Sequence, residues 1–315
     1  MNEGYHIPVM VDEVMDGLAI RPDGTYVDVT FGGGGHSCVI LSQLGAEGHL
    51  YAFDQDGDAA ARVENGEWKE ANGECKVECE GRFTFINENF RHLKNFLRLY
   101  GVRRVDGILA DLGVSSHQFD VAERGFSTRF EGALDLRMDR RSDVTARDIV
   151  ASWSEDDLAR LLTLYGELPN ARQMARAIVT TRSTREIATT TDLCTAVSRH
   201  LPHGKENKYL AMLFQALRIE VNGELEALKA LLTQSAEVLG EGGRLVVISY
   251  HSLEDRLVKN YMRSGNFDGK VEQDFYGNVV APMKMISRGA VKAGDDEVER
   301  NPRARSARLR VGEKR

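Results

Sequence analysis

The stretch from Thr25 to Leu41 constrains this chain more than any other. A short β-branched and aromatic run, Thr25 to Val29, ends in Phe31-Gly32-Gly33-Gly34-Gly35 and passes into the helix-like Cys38-Val39-Ile40-Leu41. Strand, glycine loop and helix in that order open a parallel sheet with crossover helices. Four more strand-like runs follow: His49 to Phe53, Phe83 to Ile86, Ile108 to Leu112, and Arg244 to Ser249 after the turn Gly240-Glu241-Gly242-Gly243. The fold class expected is therefore α/β, with a parallel sheet joined by crossover helices.

Roughly 130 residues separate the fourth and fifth strands, far more than a right-handed crossover needs, so an insertion is expected there. It reads as helical. Ser154 and Asp157 form a capping pattern, and Leu158, Leu161, Leu162 and Tyr165 recur at helical spacing. Further helices are expected from Ala171 to Thr180, from Asp192 to His200, and as a long pair from Asn207 to Leu239. The organisation expected is a first part of a catalytic domain at 1–119, a helical insertion at 120–205 that recognises substrate, the rest of the domain at 206–299, and a basic tail at 300–315. Because of its charge and Pro302, the tail is expected to be extended or loosely tethered, and dispensable for binding a cofactor.

The chain has 315 residues and a formal net charge of −7, which by itself argues against a nucleic-acid partner. That charge is partitioned: −9 over residues 1–119, 0 over 120–205, −4 over 206–299 and +6 over 300–315. No apolar run approaches the roughly 18 residues of a membrane span, and Met1 to Met10 has no basic-then-apolar leader. The cysteines at 38, 75, 79 and 194 are too scattered for a disulfide framework and form no array with histidines. A reduced, cytoplasmic chain is expected, with Cys75 and Cys79 as free thiols.

Glycines let backbone approach a ligand where a Cβ would clash, and a helix N-terminus offers free N–H groups. The dinucleotide fingerprint fails because its third glycine position is Ser37, and no Gly-Lys-Ser/Thr of a phosphate-binding loop follows. What remains suits a ligand without a pyrophosphate. Asp54 ends the second strand 22 positions after Gly32, where an acid accepts hydrogen bonds from both hydroxyls of a ribose. Asp111, closing the fourth strand, either positions the cofactor or accepts the N–H of an amine under attack. His251, just past the fifth strand, either touches a base or phosphate or is satisfied by neighbouring backbone. His36 is expected to contact the cofactor rather than to act as acid or base. Arg172 and Arg176 share one helix face, which is either solvated or in contact with phosphate.

His6 to Glu13 (HIPVMVDE), Asp28 to Ser37 (DVTFGGGGHS), Asp106 to Ser116 (DGILADLGVSS), Glu123 to Ser127 (ERGFS), Leu134 to Asp139 (LDLRMD), Ser249 to Arg256 (SYHSLEDR) and Asn301 to Ser306 (NPRARS) occur in this order. This set of motifs resembles the ribosomal RNA small subunit methyltransferase H family. The resemblance implies a seven-stranded, S-adenosylmethionine-binding, Rossmann-like methyltransferase sheet with an inserted helical subdomain. It implies N4-methylation of a cytidine in the decoding centre of 16S ribosomal RNA within the small subunit, by direct transfer to the exocyclic amine, with no covalent enzyme intermediate and no metal. By the same resemblance the cofactor contacts are Gly34, Gly35, His36, Asp54, Phe90, Asp111 and Gln118, with Asp111 and His251 the candidates for catalysis. Arg172, Arg176, Arg303 and Arg305 are the candidates for RNA contact, with the chain a monomer or homodimer. Val29 stands where the family often has glycine, and Gly33 where it often has arginine. The amine-methyltransferase pattern of two prolines and an aromatic after the acid is replaced by DLGV. A ribosome-assembly factor holding the cofactor as a structural ligand, and a methyltransferase of DNA or another RNA, are the alternatives.

Overall fold

A computed structural model of the chain describes residues 8–68, 81–287 and 289–315. Cys75, Cys79, most of the acidic stretch after Glu64, and His6 and Ile7 of the first motif lie outside them. The chain divides into two compact units, one built from Met1–Gly113 with Leu225–Arg315 and the other from Val114–Glu224. The second unit is longer at both ends than the expected insertion at 120–205.

The first unit is a seven-stranded sheet: β1 (Thr25–Asp28), β2 (His49–Phe53), β3 (Phe83–Ile86), β4 (Val105–Asp111), β5 (Leu239–Ser249), β6 (Met283–Met285) and β7 (Arg308–Lys314). Their order is β3-β2-β1-β4-β5-β7-β6. The first five are parallel, and β7 runs antiparallel to both β5 and β6. The helices of this unit are α1 (Val11–Leu18), α2 (Gly35–Gln43), α3 (Gly57–Glu64) and α4 (Leu93–Leu99), and, after the second unit, α11 (Glu224–Val238), α12 (Ser252–Ser264) and α13 (Asp295–Arg300).

Parallel strands covered on both faces need apolar side chains at nearly every position, which is why these runs read as continuous rather than alternating. On one face Tyr26, Leu109, Val246 and Ile248 pack with Val14 and Leu18 of α1 and Ile40 and Leu41 of α2. On the other, Val27, Ile108, Leu245 and Val247 pack with Leu93 and Leu97 of α4, Leu231 of α11 and Val258 of α12. The register pairs Asp28 with Ala52 and with Leu109, and Asp111 with Ile248, so the carboxyl ends of β1, β2, β4 and β5 share one edge.

The second unit holds α5 (Ser116–Asp120), α6 (Ala146–Ser152), α7 (Glu155–Leu164), α8 (Ala171–Arg182), α9 (Thr190–Val197) and α10 (Glu206–Asn222). Ser154 caps α7 by accepting from Asp157 N at 3.1 Å. Leu158, Leu161 and Leu162 are buried in that unit's own core with Met174, Ile178, Leu193 and Leu217.

Two expectations are corrected. The C-terminal stretch is not a loose tail: β7 is an internal strand, paired with β5 from Arg244↔Glu313 to Ser249↔Arg308 and with β6 on its other side. Leu309 and Val311 are buried, and the Arg310 guanidinium, also buried, makes two hydrogen bonds to Asp255 at 2.7 and 3.1 Å. Burial works against the Asp255 carboxylate, but Arg310 and Arg308 together hold it below the usual carboxylate range. Four of the seven basic side chains beyond Glu299, Arg308, Arg310, Lys314 and Arg315, therefore belong to β7 or directly follow it. The second correction concerns the thiols. Cys194 is free, but Cys38 is disulfide-bonded, because spacing along the chain does not decide which sulfurs the fold brings together. No helix among the described residues is long and apolar enough to cross a membrane.

Truncation after Glu299 removes β7, strips β5 and β6 of their shared neighbour, and leaves the buried Asp255 without its arginine. Loss of one partner of a buried ion pair costs about 3–5 kcal/mol by itself. The truncated chain is expected to lack a cooperative thermal transition and to bind no cofactor; a normal transition by calorimetry would contradict the structural role of β7.

Candidate active site

The glycine loop leaves β1 over a buried acid. Asp28 is 1% exposed, and its carboxylate accepts from Thr30 N at 3.0 Å and from the Ser37 hydroxyl at 2.7 Å. One side chain thus ties the end of β1 to the start of the loop and to the first turn of α2. Burial raises the Asp28 pKa above the usual value, against the pull of the Ser37 bond. Between these anchors Gly34 adopts φ 80° at the N-cap of α2. A Cβ there would lie 2.8 Å from both the Phe31 and the Trp68 ring, so the position requires glycine for space as well as for conformation. A Cβ on Gly33, by contrast, meets nothing within 4 Å. Gly35, the first residue of α2, packs against Pro8.

Asp54 directly follows β2. Its Oδ2 accepts from Gly32 N at 2.7 Å and its Oδ1 from Asp56 N at 2.8 Å, so the acid is held against the glycine loop with acceptor capacity to spare. Burial pushes its pKa up to about 7.

Asp111 ends β4. Its backbone N–H donates to Thr30 Oγ1 at 2.7 Å, its Oδ1 accepts from the Tyr250 hydroxyl at 2.7 Å, and its Oδ2 stands 3.7 Å from His36 Nδ1. Burial raises its pKa to about 6, although His36 and the Tyr250 bond pull the other way. His36 is itself buried, with Nε2 2.9 Å from the Val9 carbonyl.

One edge of the sheet thus gathers Gly34, Gly35, His36, Asp54 and Asp111. Phe90 opens a short 3-10 helix after β3 and packs half-buried against the core. Gln118 lies in the second unit, where it is buried and forms a capping box with Ser115: the Ser115 hydroxyl accepts from Gln118 N at 3.2 Å, and Ser115 N donates to Gln118 Oε1 at 3.1 Å. His251 is the N-cap of α12, and its Nε2 lies 3.1 Å from Glu254 Oε1, turning the ring to its own helix. Arg172 and Arg176, on α8, pair with Asp156 at 2.6 Å and Glu155 at 3.4 Å. Arg303 and Arg305 are exposed on the 3-10 helix Pro302–Ser306.

Three polar residues of the site were not singled out from sequence: Thr30, Ser37 and Tyr250. Thr30 and Ser37 flank the glycines and were legible as partners for Asp28. The contact of Tyr250 spans 139 positions and left no local signal.

The parallel sheet closed by an antiparallel β7, the open glycine loop after β1 and the acid after β2 define a methyltransferase that uses S-adenosyl-L-methionine. The donor set fits that cofactor: space beside the loop at Gly33, a carboxylate at Asp54 for hydroxyls, and a second at Asp111 for cationic or N–H groups. The chain belongs to the MraW methylase family, whose model matches residues 3–315. It is 54% identical over 311 residues to ribosomal RNA small subunit methyltransferase H of Phocaeicola vulgatus, covering 99% of this chain and 98% of that one. It is likewise 54% identical to the protein of the same name from Parabacteroides distasonis, with 98% and 97% covered. Among solved structures, an rRNA methylase from Streptococcus thermophilus aligns at 12% identity with TM-score 0.43, covering 98% of each chain.

The raised Asp54 pKa has a consequence for the cofactor-free protein. In the folded chain this carboxyl keeps its proton up to pH of about 7, whereas in the unfolded chain it releases it near 3.8. The stabilisation from that proton is complete below the unfolded value and is lost as pH rises through 7. Relative to Asp54→Asn, which cannot titrate, the wild type is expected to lose on the order of 2 kcal/mol between pH 5 and pH 8. Urea unfolding of both proteins at the two pH values measures this, and parallel stabilities would contradict it.

Proposed function

We propose that this chain methylates the exocyclic N4 of a cytidine in the decoding centre of 16S ribosomal RNA, within the small subunit, in the cytoplasm. The observation that carries this reading is family membership over residues 3–315, together with relatives 54% identical at near-full coverage that are named for small-subunit ribosomal RNA.

When bound, S-adenosyl-L-methionine supplies a methyl group on a positively charged sulfur. The residues then divide the work. Asp54 would accept the ribose hydroxyls, Gly34, Gly35 and His36 would border the cofactor at the start of α2, and Phe90 would pack against the adenine. Asp111 accepts an N–H of the target amine. The nitrogen lone pair of cytosine N4 is conjugated into the ring, and a hydrogen bond from its N–H to a carboxylate favours the geometry in which that pair attacks. The amine need not be deprotonated beforehand: the N–C bond would form as the S–CH3 bond breaks, leaving a neutral sulfur, and the proton that N4 then sheds would pass to the Asp111 carboxylate, so alignment and removal of water account for most of the acceleration. The cytidine must leave any helical stack to present N4 to the sheet edge.

RNA contact is assigned to Arg303 and Arg305, which stand exposed, and to the second unit. Arg172 and Arg176 would have to exchange their partners on α7 for phosphate. His251 serves this reading as the cap that fixes the start of α12, and Gln118 as the cap that fixes α5.

Two measurements test the proposal. Nucleoside mass spectrometry of 16S RNA from cells lacking this protein is expected to show loss of N4-methylcytidine at a single decoding-centre position, restored by the wild-type chain. An unchanged nucleoside profile would refute it. Because Asp111 must be ionised to accept the amine, turnover at saturating cofactor is expected to fall as pH drops through about 6, the value to which burial raises this carboxyl. In Asp111→Asn, turnover should fall by at least about a hundredfold and lose this acid limb; a flat wild-type profile down to pH 5 would remove Asp111 from the reaction.

A further inference from the structure

Asp111 is the best-placed acid at the sheet edge, but its carboxylate has two oxygens, and only one of them faces His36. Oδ1 takes the Tyr250 hydroxyl at 2.7 Å. Oδ2 stands 3.7 Å from His36 Nδ1, too far for a direct hydrogen bond, and keeps acceptor capacity. The ring of His36 is anchored through its other nitrogen: Nε2 lies 2.9 Å from the Val9 carbonyl, which only accepts, so Nε2 carries a hydrogen and Nδ1 is the nitrogen that faces Asp111. Oδ2 is the oxygen of Asp111 left open beside a fixed ring.

We propose that Tyr250 is a positioning residue: by occupying Oδ1 of Asp111 its hydroxyl reserves Oδ2 as the acceptor for a single N–H donor. The donor is either the ammonium of the cofactor or the amine of the target base, which offer the same chemistry. The inference rests on the methyltransferase reading above and adds a residue to which that reading gives no part.

The surroundings make the arrangement durable. Burial and the nearby acids Asp111, Glu254 and Glu297 hold the Tyr250 hydroxyl well above its ordinary pKa, so it stays a donor throughout the working range. The backbone of Tyr250 is fixed by its N–H bond to Glu254 Oε2 at 2.9 Å, at the cap of α12. The other charged groups that bear on Asp111 are His36 from α2, Asp28 from β1 and Glu254 from α12, so removing one hydroxyl leaves the rest of the field in place.

The test uses the full chain with Tyr250→Phe, Asp111→Asn and the double variant. The hydroxyl stabilises the ionised form of Asp111, so Tyr250→Phe raises its pKa and moves the acid limb of Asp111-dependent behaviour to higher pH. The expected displacement is about one pH unit, as for loss of one hydrogen bond to a charged group. Cofactor affinity by calorimetry from pH 5 to 8.5 and turnover on small subunits at saturating cofactor are read separately. A shift in cofactor affinity assigns the donor to the cofactor's ammonium, and a shift in turnover alone assigns it to the target amine. In the Asp111→Asn background, Tyr250→Phe should change neither. An unshifted acid limb in both readouts, or an equal loss with and without Asp111, would overturn the proposal. Calorimetry needs no RNA, so a wild-type chain that binds cofactor but leaves ribosomal RNA unmodified would break the RNA reading without deciding this one.

Discussion

The site depends on one buried carboxylate. A run of four glycines has no preferred conformation, and without an external restraint it would pay heavily in backbone entropy to hold a single shape. Asp28 supplies the restraint from below: it is fixed by β1, and it binds Thr30 on the near side of the glycines and Ser37 on the far side. Thr30 in turn receives the backbone N–H of Asp111, so the loop, the end of β4 and the start of α2 are coupled through a few hydrogen bonds. Asp54 grips the loop from the β2 side through Gly32. The flexibility that lets the loop lie close to a ligand is thereby confined to backbone with no freedom to wander.

The acids of this edge are not equivalent, and burial sorts them. Asp28 is enclosed and spends its oxygens on the fold. Asp54 and Asp111 keep acceptor capacity and have pKa values raised to about 7 and about 6, values reached without any ligand. A cationic or hydrogen-bond-donating ligand favours their ionised forms, so binding and ionisation are linked. The net charge of −7 says little about this. Part of the basicity of the last sixteen residues is consumed inside the first unit by Asp255.

Much of this was legible in the sequence, and the rest was hidden for definite reasons. His49 to Phe53 and Phe83 to Ile86 coincide with β2 and β3, because doubly covered strands are short apolar runs between turn residues. The start of β5 was missed because Gly240 to Gly243 reads as a turn, yet the strand continues through it with a shift of register against β4. β7 was missed because its alternation, Leu309 and Val311 interleaved with Arg308 and Arg310, carries charge on the positions that turn away from the apolar face. A charge there reads as solvent, and only the distant Asp255 shows otherwise. The capping roles of Gln118 and His251 were within reach, since S-x-x-Q and H-x-x-E are local patterns. The Tyr250 contact was not, since it depends on two strand ends brought side by side by the register.

The position of β7 bears on how the sheet comes to exist. It is the last of the seven strands to be synthesised, yet it lies inside the sheet, and it must slot between β5 and β6 after both have been made. The first unit is also discontinuous, with its two segments separated by the whole of the second. Contacts of such long sequence separation form slowly, since the chain entropy of closing the loop is lost before the pairing returns anything. The second unit, continuous in sequence and helical, has no such wait. Folding is therefore expected to be staged, with the helical unit complete early and the cofactor edge assembled only once the last strand is in place.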